Sequence, residues 1–251
     1  MRFRLRAFTL HLAGSACALT LILGGLYLGW YRWPGWYLTA VAHILIIVGS
    51  VDLALGPTLT LIVANPQKPR RELTRDIAII VAVQLIALGY GALTLWHGRP
   101  LYYTLSSDRL ELVQGSDISE SEAARARREN AALAPHWYSR PRWVWAPLPD
   151  DPEEAARIVN SVLLGKGVDV IAMPRYYRPW EQGQAALRAH LRRLADTPFI
   201  SKRERPALEA KLRRLGLAPD APAILVLLGG SRHLLAVFDP QSAELREILR
   251  P

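Results

Sequence analysis

The chain has 251 residues, 51% of them hydrophobic, and a formal net charge of +9. A single cysteine excludes an internal disulfide, CxxC redox chemistry and a cysteine-rich zinc site. The basic balance does not point to nucleic acid. Several Arg and Lys residues stand at the edges of apolar runs, most of the others alternate with Glu and Ala, and there is no RNP-like motif or long Lys/Arg run.

The composition changes near Trp96. Residues 1–96 are mostly apolar, whereas residues 97–251 are rich in Arg, Glu, Pro and Trp and can bury a core of their own. This predicts a region of three transmembrane helices followed by a small α+β extracytoplasmic domain, with spans near 8–30, 37–64 and 77–96. Arg2, Arg4 and Arg6 precede the first span, whose apolar run is longer than a signal-peptide core, so a retained signal anchor is expected. His11 is expected to be a solvated end residue, and Cys17 an ordinary buried cysteine, since no lipobox leucine precedes it.

Trp30, Tyr31, Trp33, Trp36 and Tyr37 crowd a short turn and read as an aromatic belt at the lipid surface. The second span carries an acid, Asp52, with Gly56 and Pro57 one turn later. Twelve residues from the far end, Asp52 lies roughly 18 Å deep at 1.5 Å per residue. A carboxylate at that depth normally faces protein or water rather than lipid. Pro57 lacks an amide proton and is expected to kink the helix, with Thr58 and Thr60 as local donors. Thr20 and Tyr90 fall at similar depth, so a hydrogen-bonded cluster of Asp52 with these two is expected. A contact from Asp52 to a foreign transmembrane helix is the alternative. A proton pathway is disfavoured, because the spans hold no second acid.

Lys68, Arg70, Arg71 and Arg75 follow the second span. With the arginines of the N-terminus they put both basic ends on one side, which the positive-inside rule makes cytoplasmic. Three spans then carry residues 97–251 outside.

In that domain, Leu101–Leu105 and Leu110–Val113 read as strands around a turn at Ser106, Ser107, Asp108 and Arg109. Asp108 and Arg109 are either a surface ion pair or a recognition spot. Ser119 and Glu122 have capping-box spacing and open a surface helix through about Leu133. Trp137, Tyr138, Trp143 and Trp145 interleave with Arg140 and Arg142, as core aromatics or as a protein-contact face. Helices are expected over 151–164, 180–195 and 205–215, with strands at 144–148 and 168–172 and a last strand or helical turn at 244–249. Ala223–Leu228 and Leu234–Phe238 form a hairpin across Gly229 and Gly230. Three to five short strands are expected in all.

No HExxH, GxSxG, paired-His spacing or phosphate loop is present, so neither a catalytic site nor a cofactor is expected. A membrane-anchored enzyme acting on an envelope protein or glycan, working through the stretch around Trp143 with His136 or His233, is the alternative. A sensory anchor is weaker, since little of the chain is cytoplasmic.

The first 115 residues or so, from FRLRAFTLHLAGSAC through VDLALGPTLTLIVANPQKPRRELTRD to GRPLYYTLSSDRLELV, resemble the TfpX/TfpZ family of type IV pilin accessory proteins. That resemblance implies an inner-membrane protein that assists pilus assembly or function, with a type IV pilin as partner. It supplies no catalytic residue. Candidate pilin contacts are Asp52, Gly56, Pro57, Asp108, Arg109, Trp143 and Trp145.

Overall fold

A computed structural model describes residues 1–39, 41–106, 108–165 and 167–251. The chain divides into two compact units: Met1–Trp36 with Ala40–Arg99, and Tyr37–Thr39 with Pro100–Pro251.

The first unit is helical. It contains α1 (Arg2–Gly29), α3 (Ala42–Gly49), a π-helical segment (Ser50–Leu55), α4 (Gly56–Val63) and α5 (Arg70–His97); the single turn α2 (Gly35–Leu38) after α1 is divided between the two units. Among the described residues, three stretches are long and apolar enough to cross a membrane: Arg2–Gly29, Ala42–Val63 and Arg70–His97. The outer two run past the predicted spans, taking in Arg2, Arg4 and Arg6 at one start and Arg70, Arg71 and Arg75 at the other. An apolar boundary marks where lipid ends, not where a helix ends, and long basic side chains let the helix continue into the interface. The second stretch begins later than predicted, because Tyr37–Thr39 belong to the other unit.

The helix widens just before Pro57. The Gly56 amide reaches back five residues to the Val51 carbonyl, and regular helix resumes with Pro57 in its first turn. The ring would clash with the carbonyl one turn back, and the wider turn relieves it. Of the belt aromatics, Trp33 and Trp36 are exposed, whereas Tyr31 is buried and donates to the Leu95 carbonyl at 2.7 Å. Cys17 is exposed on α1, not buried as expected.

The second unit is built on one mixed sheet of seven strands, more than the three to five expected. The strands are β1 (Pro100–Ser106), β2 (Arg109–Gln114), β3 (Arg142–Trp145), β4 (Arg178–Pro179), β5 (Ile224–Gly229), β6 (Arg232–Phe238) and β7 (Leu245–Leu249), in the order β4-β3-β1-β2-β5-β6-β7. Parallel pairing joins β1 to β3 and β2 to β5; the other pairs are antiparallel. The β5–β6 hairpin turns at Gly230, whose φ of +55° suits a residue without a β-carbon. Ser107, in the β1–β2 turn, lies outside the described residues.

Among the described residues, three of the unit's four helices share core clusters with the sheet, and the other, which carries Ile158, packs on Val170, Met173 and Tyr176. Ser119 caps α6 (Glu120–Glu129), accepting the Glu122 amide at 3.2 Å. This helix stops short of Leu133 and buries Ala123 and Ala126, an alanine face that a search for large apolar residues overlooks. Asp151 caps α7 (Pro152–Leu163). The strand expected at 168–172 is a 3₁₀ turn, Val170–Ala172, because Asp169 caps it by accepting the Ile171 amide. The helix expected over 180–195 breaks into a 3₁₀ turn, Trp180–Gly183, then α8 (Gln184–His190), and Arg192 bridges to Ile224 of β5. The last helix, α9 (Arg205–Arg214), is followed by Gly216 at φ +76°.

The main core joins both ends of the chain. Leu38 is buried with Leu105, Leu110, Leu227, Leu234 and Phe238. Arg232 of β6 donates to the Tyr37 carbonyl at 2.9 Å, and the Arg232 and Arg250 guanidinium groups lie 5.0 and 4.9 Å from the Tyr37 ring centre. A segment three residues long, lying in sequence between α1 and α3 of the helical unit, is therefore part of the sheet unit.

Candidate functional site

Polar side chains meet inside the helical unit. Asp52, in the π-helical segment, is only 3% exposed. Gln84 of α5 donates its amide to the Asp52 main-chain oxygen at 3.1 Å and to Asp52 Oδ1 at 3.4 Å. The amide oxygen of Gln84 lies 2.6 Å from His11 Nε2, and His11 Nδ1 lies 2.5 Å from the Thr60 hydroxyl. An amide oxygen only accepts, so Nε2 carries a proton, and in the neutral ring Nδ1 accepts from Thr60. The donors thus run in one direction, from Thr60 of α4 through His11 of α1 and Gln84 of α5 to Asp52. Of the three long apolar stretches, the first and third contribute one group each and the middle one contributes two, Asp52 and Thr60.

This cluster replaces the predicted one. Thr20 bonds the Ala16 carbonyl within its own helix, and Tyr90 is 74% exposed. His11 is no solvated end residue, because α1 begins at Arg2 and places it more than two turns inside. Gly56 has a steric role here. A β-carbon at Gly56 would collide with the Gln84 amide, so only glycine lets Gln84 reach Asp52. Gly56 and Pro57 are both buried.

A cavity of about 510 Å³ opens beside the cluster, between α1 and α5. Small residues of α1, including Ala7, Gly14, Ser15 and Ala18, form one wall, and Ile77, Val81 and Leu85 of α5 form the other. Asp52, His11, Thr60 and Gln84 line its polar patch. Asp52 Oδ2 is buried and has no hydrogen-bond partner. In hydrocarbon such an oxygen is costly unless something donates to it.

The other residues singled out by sequence lie apart from this site. Asp108 and Arg109 do not form the ion pair with each other that was one expectation. Asp108 pairs with Arg192 at 3.2 Å, while Arg109 pairs with Glu111 at 3.0 Å and Asp169 at 3.5 Å. Trp143 packs against Tyr103 and Trp180, with ring centres 4.9 and 5.1 Å apart, and Trp145 lies over Gly183. Both tryptophans are half-buried against the main core, so the exposed aromatics of that stretch are Trp137 and Tyr138. Lys68 and Arg75 both pair with Asp76 at the start of α5. Sequence reasoning missed an exposed apolar run on α7 and just beyond it, Val159, Val162, Leu163 and Leu164; its only signal was aliphatic density next to Gly165.

No family model matches the chain, and no solved structure matches it. It is similar to fimbrial assembly proteins of Dichelobacter nodosus. The serogroup I protein is 28% identical over 120 residues, which is 48% of this chain and 47% of that protein. The protein of serogroups C1 and C2 is 27% identical over 117 residues, 47% of this chain and 89% of that protein. The serogroup E1 protein is 27% identical over 120 residues and is covered to 47%. The chain thus spans about half the length of two of these relatives and most of the third.

Proposed function

We propose that this protein is an inner-membrane accessory factor for type IV pilus assembly and that it acts by binding pilin. Its N-terminus would be cytoplasmic and its sheet domain periplasmic. The observation that carries the proposal is the groove between α1 and α5 with the unpartnered oxygen of Asp52. The names of its relatives support a role in fimbrial assembly. A filament subunit with an apolar helix must leave lipid to enter a fibre. A helper that lends it a polar-lined groove lowers the cost of that passage. Binding is favoured over catalysis by the packing of Trp143 and Trp145, which are engaged in core contacts rather than presented to a glycan.

The test is capture of pilin by the tagged full chain from solubilised membranes, paired with pilus counts in a deletion strain. Co-purified pilin and sparse pili are expected. Normal piliation without the protein would overturn the proposal.

A further inference from the structure

We infer that the groove between α1 and α5 takes one membrane-spanning helix of another protein, and that this helix brings an N–H or O–H donor to Asp52 Oδ2. The inference deepens the pilin-binding proposal and rests on it only for the name of the occupant.

Three observations carry it. First, four of the six α1 residues on the groove wall are small, Ala7, Gly14, Ser15 and Ala18 beside Leu10 and His11, and a β-carbon added at Gly14 would meet nothing within 4 Å. Small residues in a membrane let a second helix approach with its backbone close, where dispersion and interhelical hydrogen bonds replace the missing hydrophobic drive. Second, the internal network is used up one oxygen short. Gln84 gives its amide to Asp52 and, at 3.4 Å, to Ser15, and its oxygen is held by His11. Thr60 is spent on His11. Asp52 Oδ2 remains, in a residue only 3% exposed that lines the groove. Third, a lipid tail fills space but donates nothing, so an acyl chain leaves that oxygen as costly as before. A helix with an amine, amide or hydroxyl at this depth fills the space and supplies the donor. Glycine at 56 fits the same reading: it lets Gln84 hold one oxygen of the carboxylate while the other is left without a donor.

The experiment uses the full chain in phosphatidylcholine vesicles, labelled with an acceptor dye on its sole cysteine, Cys17, which is exposed on α1 beside the groove. The probes are donor-labelled leucine-rich helices with either one central lysine, which can only donate, or leucine at that place. Energy transfer is expected to show the lysine helix binding about tenfold more tightly. Asp52→Asn keeps the shape of the side chain and an oxygen for Gln84, and should erase the preference. Ala18→Trp leaves Asp52 in place, fills the groove and should abolish binding of both helices. Equal binding of the two helices, or transfer no higher than from lipid dilution alone, overturns the inference. So does transfer between differently labelled copies of the chain that Ala18→Trp removes, since that gives the groove to a second copy. Pilin capture is measured in parallel. Capture without a lysine preference sinks this inference alone, and a lysine preference without capture sinks the pilin proposal alone.

Discussion

Leu38 lies directly on Gly229: a β-carbon built at Gly229 would fall 2.6 Å from Leu38 Cβ. Leu38 is 1% exposed and sits in the sheet unit's main core, although in sequence it stands between the first two membrane stretches. Leu38→Ala is expected to destabilise the sheet unit by about 2–5 kcal/mol. Thermal unfolding of the full chain in detergent, followed by near-ultraviolet signals from the core tryptophans, checks this. An unchanged midpoint would mean that Leu38 does not belong to that core.

The same relationship bears on topology. A link between spans one and two and a domain after span three share one side of a membrane only if the third stretch crosses it. A phosphatase reporter fused after Pro251 is therefore expected to be active, and one inserted in the basic segment at Gln67 inactive. Activity at Gln67 with silence after Pro251 would reverse the orientation drawn from Arg2, Arg4, Arg6, Lys68, Arg70 and Arg71.

Gln84 joins His11 to Asp52. Gln84→Leu keeps the bulk, removes both bonds and leaves the Asp52 carboxylate without its internal donor. A cost of about 1–3 kcal/mol is expected for each buried polar group so stranded. The measurement is the loss of folded protein against temperature in detergent, compared with Thr20→Val, whose hydroxyl bonds only its own helix and which should change little. Equal effects from the two variants would remove the network from the account.

Asp239 gives a pH prediction. The Arg246 guanidinium donates to Oδ2 at 2.7 Å, and the amides of Ser242 and Gln241 donate to Oδ1 at 3.0 and 2.9 Å. Arg246 first, then those two amides, hold the carboxyl well below the usual range. A carboxyl depressed in the folded state adds stability above its unfolded value of about 3.9, and that stability is lost as pH falls through the folded value. Asp239→Asn should thus unfold more easily than the parent at neutral pH, with the gap closing in strong acid. A gap that stays constant with pH would exclude the linkage.

Much of the fold was legible, and the failures have physical causes. Unbroken apolar runs and the two glycines gave away the β5–β6 hairpin, and Ser119, Asp151 and Pro206 marked helix starts. The strand at 168–172 failed because Asp169 offers the backbone a local bond that an extended chain does not. The long helix over 180–195 failed because Arg192 gave its amide to Ile224 of the sheet, a pairing invisible to local propensity. At the site, the sequence singled out Asp52 and Gly56 but not their partners. Depth was counted from apolar edges, which hid the extra turns of α1 and so misplaced His11. A π-helical segment also rotates the residues that follow it, and no rule of period 3.6 anticipates that. Trp143 and Trp145 read equally as core or surface, and only the three-dimensional packing on Tyr103, Trp180 and Gly183 separates these.

Site-specific photocrosslinking in piliated cells tests the central claim most directly. A photoreactive residue replaces Leu10, which is exposed and lines the groove, or Ile47, which is exposed and does not line it. The expected result is a covalent adduct with pilin from position 10 and none from position 47. Pilin abundant in the membrane, yet joined to neither position or to both alike, would contradict a groove built for it.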